Sequence, residues 1–312
     1  MKRWAWIAFW ILGVTWGSSF LLIKISVEVI PPAQVVFIRT AIAGVGLMLL
    51  ALARGLKFPS NWSNLFPLIL IGIGNTAIPF LLITWGETAI DSSVASILQA
   101  TASLFTLVIA HFFFADERMT PQRIGGMILG FLGVIVLFAP SIRGSEIAVA
   151  VILGQLAIVL ASLFYAMFTT YSRVVLNGRG IAPLVVAAVS QSSAAVIMGV
   201  ITFLSPLFGG STPVSLLEIP RGVSIAVIVL GIFNTCFAYA LFYSVVSILG
   251  AARASMVTYV VPVVGLVLGI VFLDEPLTWA LGIGALLVFA GIGVVNLRLG
   301  RTKPIEVVPS KI

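Results

Sequence analysis

Charge is what this chain has least of. Only 10 acidic and 17 basic side chains occur in 312 residues, 9% of the total, where soluble domains carry about a quarter. So few charges cannot dress a soluble surface. The single cysteine, Cys236, excludes a disulfide framework or a cysteine-based metal cluster. A lone histidine, His111, provides no histidine cluster, so neither a metal nor another cofactor is expected. The chain has no G-x-x-x-x-G-K-[ST] loop, which argues against a nucleotide-driven pump. Strict apolar–polar alternation is also missing, which removes a transmembrane β-barrel.

What fills the sequence is apolar: 61% hydrophobic residues at mean hydropathy +1.22. The apolar runs are about 20 residues long, enough to cross about 30 Å of hydrocarbon as helices. They predict an all-α integral membrane protein of ten transmembrane helices. These fall at about 4–26, 32–54, 65–87, 92–115, 121–139, 149–174, 182–207, 222–245, 251–273 and 277–298. The first run follows Lys2 and Arg3, and it is too long for a signal peptide and lacks a small-residue cleavage site. It reads as a retained helix.

Two signatures occur twice. D-E-R-M-T (Asp116 to Thr120) returns as D-E-P-L-T (Asp274 to Thr278), with Gly126 and Gly133 answered by Gly284 and Gly291. Upstream, G-I-G-N-T (Gly72 to Thr76) returns as G-I-F-N-T (Gly231 to Thr235). The chain therefore reads as a duplication: a five-helix repeat over 1–139, a loop over 140–148, a second repeat over 149–299, and a disordered tail over 300–312. Five is odd, so the second copy enters the membrane from the opposite side. That makes an inverted repeat, whose substrate site is expected near mid-membrane between the halves.

The basic residues set the orientation. Thirteen of the 17 lie in segments on the side of the N-terminus, three (Lys24, Arg143, Arg221) lie on the other, and Arg39 is inside a helix. The positive-inside rule then puts both termini in the cytoplasm. With that distribution, the net charge of +7 marks orientation and not a nucleic-acid surface.

W-G-S-S-F (16–20) with Lys24, R-T-A-I-A (39–43), A-S-I-L-Q-A-T (95–101) and D-E-R-M-T-P (116–121) resemble the drug/metabolite transporter (DMT) superfamily, EamA family. The resemblance covers essentially the whole chain. It implies a ten-helix bundle of two inverted five-helix repeats that exports small metabolites or toxic compounds. One position departs from the pattern. The fourth helix of this family often has a mid-helix proline, as Pro262 is in the ninth helix here, but this chain has Ser103. A kink in the fourth helix is therefore not expected from proline.

Polar side chains are costly in lipid unless they face protein or water, so mid-membrane polar residues are the candidates. Trp16, Asn75, Tyr165 and Asn234 all fall near mid-depth at 1.5 Å per residue. Asn75-Thr76 and Asn234-Thr235 either hydrogen-bond a substrate or join helices. Trp16 and Tyr165 either wall a cavity or pack. Ser18 and Ser19, with Gly13 and Gly17, suit close helix approach. Gln99, Tyr239, Thr258-Tyr259, Thr101, Ser103, Thr169 and Thr170 complete a neutral polar lining. Lys24 and Arg39 are either an anion-attracting outer gate or a snorkelling or structural pair. His111 reads as interfacial. No Asp or Glu stands at mid-membrane, which argues against a carboxylate proton relay there.

The D-E pairs read as turns that cap the following helix. The glycines of the fifth and tenth helices suit close packing, within the bundle or across a homodimer. The leading reading is a secondary transporter of a bacterial-type inner membrane, exporting amino acids or related compounds, or drugs, by alternating access. Its partners would be the bilayer and a small-molecule substrate. The alternatives are a non-transporting scaffold or sensor and, lower, a lipid-modifying enzyme, whose paired carboxylates or metal ligands are not in evidence in the sequence.

Overall fold

The computed structural model describes residues 2–114, 119–142 and 146–296. Among them, nine helices are long and apolar enough to cross a membrane. We number these and the shorter apolar helix in chain order. They are α1 (Arg3–Val27), α2 (Pro32–Ala53), α3 (Trp62–Gly86), α4 (Ser92–Phe113), α5 (Pro121–Ser141), α6 (Ala148–Leu176), α7 (Pro183–Phe208), α8 (Arg221–Leu249), α9 (Val257–Phe272) and α10 (Trp279–Asn296). Asp116, Glu117, Arg143 and the tail lie outside the described residues.

Start signals follow from local chemistry. Pro32, Pro121 and Pro183 open α2, α5 and α7, where a missing N–H costs nothing. The threonines of the doubled D-E-x-x-T signature are N-caps: Thr120 accepts from the Arg123 amide at 3.3 Å, and Thr278 from the Leu281 amide at 3.1 Å.

Helices pack in matched pairs. α1 lies against α8 and α9, and α6 against α3 and α4. α2 packs on α7, and α5 on α10. The last contact consumes the doubled glycines. A Cβ at Gly133 would stand 2.7 Å from the Gly284 carbonyl oxygen, and one at Gly126 would stand 2.7 Å from that of Gly291. Backbones touch where side chains are absent. The outward faces are apolar, including Val45, Leu49, Val196, Phe203, Val271 and Leu286, as a bilayer requires.

Four spans depart from regular α-helix. In α3 the turn Ile73–Ala77 is a π-helix, and in α8 Ile232–Phe237 is another. Both copies of G-I-x-N-T thus become widened turns. Pro79 accounts for part of this in α3, since it cannot donate to the Asn75 carbonyl. In α8 the Thr235 hydroxyl takes up the slack, donating to the Leu230 carbonyl five residues back at 2.8 Å.

α4 also breaks at Ala100–Thr101, and the segment leading into α9 breaks at Ser255–Met256. The break in α4 forms with serine in place of proline. The Thr101 hydroxyl bonds the Leu98 carbonyl at 2.6 Å and the Ser103 hydroxyl that of Ala100 at 2.8 Å, while the amides pair three residues back. Hydroxyls competing for helix carbonyls tighten the turn without a proline.

Candidate functional site

The most unusual side chain in the interior is Arg39, from the middle of α2. It is 6% exposed. Its Nε donates to the Thr235 hydroxyl in the π-turn of α8 at 2.8 Å. Its guanidinium carbon lies 4.0 Å from the centroid of the Phe80 ring, one turn beyond the π-turn of α3. The phenols of Tyr165 on α6 and Tyr239 on α8 and the carboxyl of Glu87 lie within electrostatic reach of it. Arg39 thus gathers the π-turn regions of both halves around one positive charge.

The aromatics continue from there. Trp16 meets Tyr239 edge-on at 6.1 Å between centroids and Phe242 at 5.4 Å. Tyr165 packs beside Phe80, Ala77 and Val36. Trp16, Tyr165 and Tyr239 are all only half-buried. Rings in this state at mid-helix offer faces and hydroxyls to whatever lies between the helices.

The two asparagines are not alike. Asn234 is buried, and its amide nitrogen donates to the Thr15 carbonyl, the Ser18 hydroxyl at 2.9 Å and the Ser19 hydroxyl at 3.1 Å. It ties α8 to α1. Asn75 is half-buried and, among the described residues, accepts only from the Thr169 hydroxyl, at 3.5 Å. Gly74 beside it has no room for a Cβ against the Phe168 ring. Thr76 is buried within its π-turn.

Gln99 and Tyr259 are half-buried, yet no hydrogen bond or ring contact joins either to the Arg39 group among the described residues. Tyr259 stands beside Asn296, the last described residue of α10. His111 accepts from the Met119 amide at 3.2 Å, a local turn contact.

At the far end of α1, Lys24 makes no ion pair among the described residues. Its ammonium donates to the carbonyls of Glu87 at 2.8 Å and Ile90 at 2.7 Å, capping the end of α3. Glu275 likewise departs from the expected role. It accepts from the amides of Ser92 at 2.7 Å and Ser93 at 2.8 Å, and so caps α4 from the opposite half. The cap on the following helix is supplied by Thr278 alone. Asp274, immediately before Glu275, sits in the left-handed region at φ +53°.

Two further groups were not among the site candidates read from the sequence. The Glu87 carboxylate is fully buried with both oxygens unpartnered, and burial pushes its carboxyl well above the usual range. Gln191, in the middle of α7, is 1% exposed with both amide atoms unbonded, and approaches Tyr239 without reaching hydrogen-bond geometry. A run of four polar residues, Ser190 to Ser193, inside an apolar helix was the available clue. Among the described residues no group of His, Cys, Asp and Glu could hold a metal ion.

Comparison with known proteins identifies the family of the chain. Residues 3–139 and again 152–297 match the EamA-like transporter family. An uncharacterized transporter of Archaeoglobus fulgidus is 30% identical over 299 residues, covering 95% of this chain and 99% of its own. A probable amino-acid metabolite efflux pump of Escherichia coli is 26% identical, covering 94% and 95%. A solved crystal structure is similar at TM-score 0.65 and 20% identity, covering 95% of this chain and 98% of its own, which speaks to the fold.

Proposed function

The chain belongs to the EamA-like transporter family, and we propose that it exports small organic metabolites of the amino-acid type by alternating access. It is a multi-pass membrane protein; its place in this reading is a bacterial-type inner membrane with both termini inside. The two halves act as inverted five-helix repeats, and the substrate sits between them near mid-membrane.

The observation that carries the reading is the meeting of α2, α3, α6 and α8 at Arg39, Phe80, Tyr165, Thr235 and Tyr239. Residues from both halves converge on one point: Thr235 belongs to the second G-I-x-N-T turn, and Phe80 follows the first by one turn. The matched contacts of α1 with α8 and of α6 with α3 support the inversion. The π-turns are local irregularities that a neighbouring helix can straighten or slide past, the kind found at functional sites. The names of relatives from Escherichia coli and Salmonella typhimurium as probable amino-acid metabolite efflux pumps support the substrate class. No cofactor and no enzymatic step is part of the reading. If the protein dimerises through its glycine-rich helices, Gly125, Gly282 and Gly293 are the positions left open for it.

The test is metabolite profiling of the medium from cells overproducing the protein, against cells producing an Asn75→Ala variant at equal level. Enrichment of amino acids or their derivatives in the first medium alone is the expected result. Identical media would leave the scaffold reading in its place.

A further inference from the structure

Arg39 places a permanent positive charge inside a membrane bundle, and among the described residues no carboxylate is bonded to it. Apart from Nε, which Thr235 receives, its nitrogens have no hydrogen-bond partner among the described residues. The carboxyl within electrostatic reach of it is that of Glu87, whose oxygens have no hydrogen-bond partner among the described residues and whose burial favours the neutral acid. The remaining neighbours, Tyr165 and Tyr239, are phenols, and Phe80 presents only its ring.

Placing an arginine at the centre of a membrane helix costs about 2.5–3.5 kcal/mol on insertion scales. Chains usually offset that with an acidic partner or with backbone carbonyls. Here the Nε contact and the Phe80 ring fix the orientation of the guanidinium, while its remaining donors are left free. A planar fork of that kind is shaped to receive two oxygens of one carboxylate.

We infer that Arg39 is the anchor for the carboxylate of the transported molecule, so that the substrates are carboxylate-bearing metabolites held with Trp16, Tyr165 and Tyr239 around the remainder. The inference rests on the transporter reading above. It narrows that reading, because amines, amides and esters of the same size lack the group that the site is short of. The fork distinguishes these from acids through a desolvated, charge-assisted pair, and a site built around such a bond rejects analogues without it. Thr235 is a positioning residue: its hydroxyl accepts from Arg39 and donates to Leu230 across the π-turn, so straightening that turn would swing the guanidinium.

The experiment uses purified full-length protein in two measurements. In the first, thermal unfolding is followed in detergent with benzoate against benzamide, and with L-phenylalanine against L-phenylalaninamide. Wild type is expected to be stabilised by the two carboxylates and not by the amides. Arg39→Gln loses that difference, and Arg39→Lys, which keeps the charge but not the fork, reduces it.

In the second, proteoliposomes loaded with an unlabelled equimolar mixture of threonine, leucine and phenylalanine are assayed for uptake of the labelled mixture. The C-terminal amides should compete about ten-fold more weakly than the acids in wild type, and about equally in Arg39→Gln. Amides that match acids in wild type, or a preference that survives Arg39→Gln, overturns the anchor. If flux proceeds while no carboxylate stabilises the protein, the anchor also falls and the transporter reading stands. Binding through Arg39 without any flux would have the opposite meaning.

Discussion

The Glu275 carboxylate receives the Ser92 amide at 2.7 Å, a contact that spans 183 positions and joins the two halves of the molecule. The partner oxygen receives Ser93 at 2.8 Å, so one side chain satisfies two of the free amides that begin α4. A Cβ at Gly269 would strike the same carboxylate, and this explains why the chain has no side chain there.

Glu275→Ala should accordingly destabilise the protein by about 1.5–3 kcal/mol, the range for a charge-assisted bond to a buried partner. Glu275→Gln should recover part of this, since one oxygen remains to accept. Thermal unfolding in detergent measures both. An unchanged transition in Glu275→Ala would remove Glu275 from the scaffold.

Asn234 and Asn75 should separate under mutation although their motifs match. Asn234→Ala loses an amide whose two N–H groups are shared among Thr15, Ser18 and Ser19 of α1. At about 0.6 kcal/mol per bond within a membrane bundle, the loss is about 1 kcal/mol of stability. Asn75→Ala loses one long contact and should leave the unfolding transition within about 0.5 kcal/mol while lowering flux. Equal destabilisation by the two would contradict the assignment of Asn234 to packing and Asn75 to the interior.

Glu87 gives a pH prediction. Burial raises its carboxyl, with Lys24 and Arg39 opposing and Glu275 reinforcing the shift. The folded form thus holds a proton that the unfolded chain releases near pH 4.3. Stability is full below that pH and declines as pH rises through the raised folded value. Glu87→Gln, which stays neutral, should flatten this decline. Unfolding temperatures measured from pH 5 to pH 9 decide it: parallel curves for wild type and variant would show that Glu87 is charged in the fold.

Gly133→Val should cost about 1–3 kcal/mol, the usual cost of overpacking. Its new Cβ would meet the Gly284 carbonyl and Val288. The exposed Gly125→Val has nothing to strike and serves as the control. Similar losses in both would mean that helix propensity, not contact, sets the effect.

Much of this architecture was legible in the primary structure because a bilayer restricts the choices. Apolar runs of spanning length with almost no charge can only be membrane helices, and the doubled D-E-x-x-T and G-I-x-N-T signatures marked the duplication before any coordinates. Mid-membrane depth was the expectation from rise per residue, which is why Trp16, Tyr165, Asn75 and Asn234 stood out. What depth cannot give is facing. Whether Asn234 points to α1 or to a substrate depends on how α8 is rotated, and rotation is set by packing with residues far away in sequence. The break in α4 was hidden for a related reason, since hydroxyls produce it in a position where proline is the usual sign. Arg39 was visible as a charge in the wrong place; that it has no acidic partner among the described residues, while Glu87 lies buried and unbonded among them, only the folded bundle could decide. Composition determines that a chain enters the membrane, but pairing is a property of three-dimensional proximity.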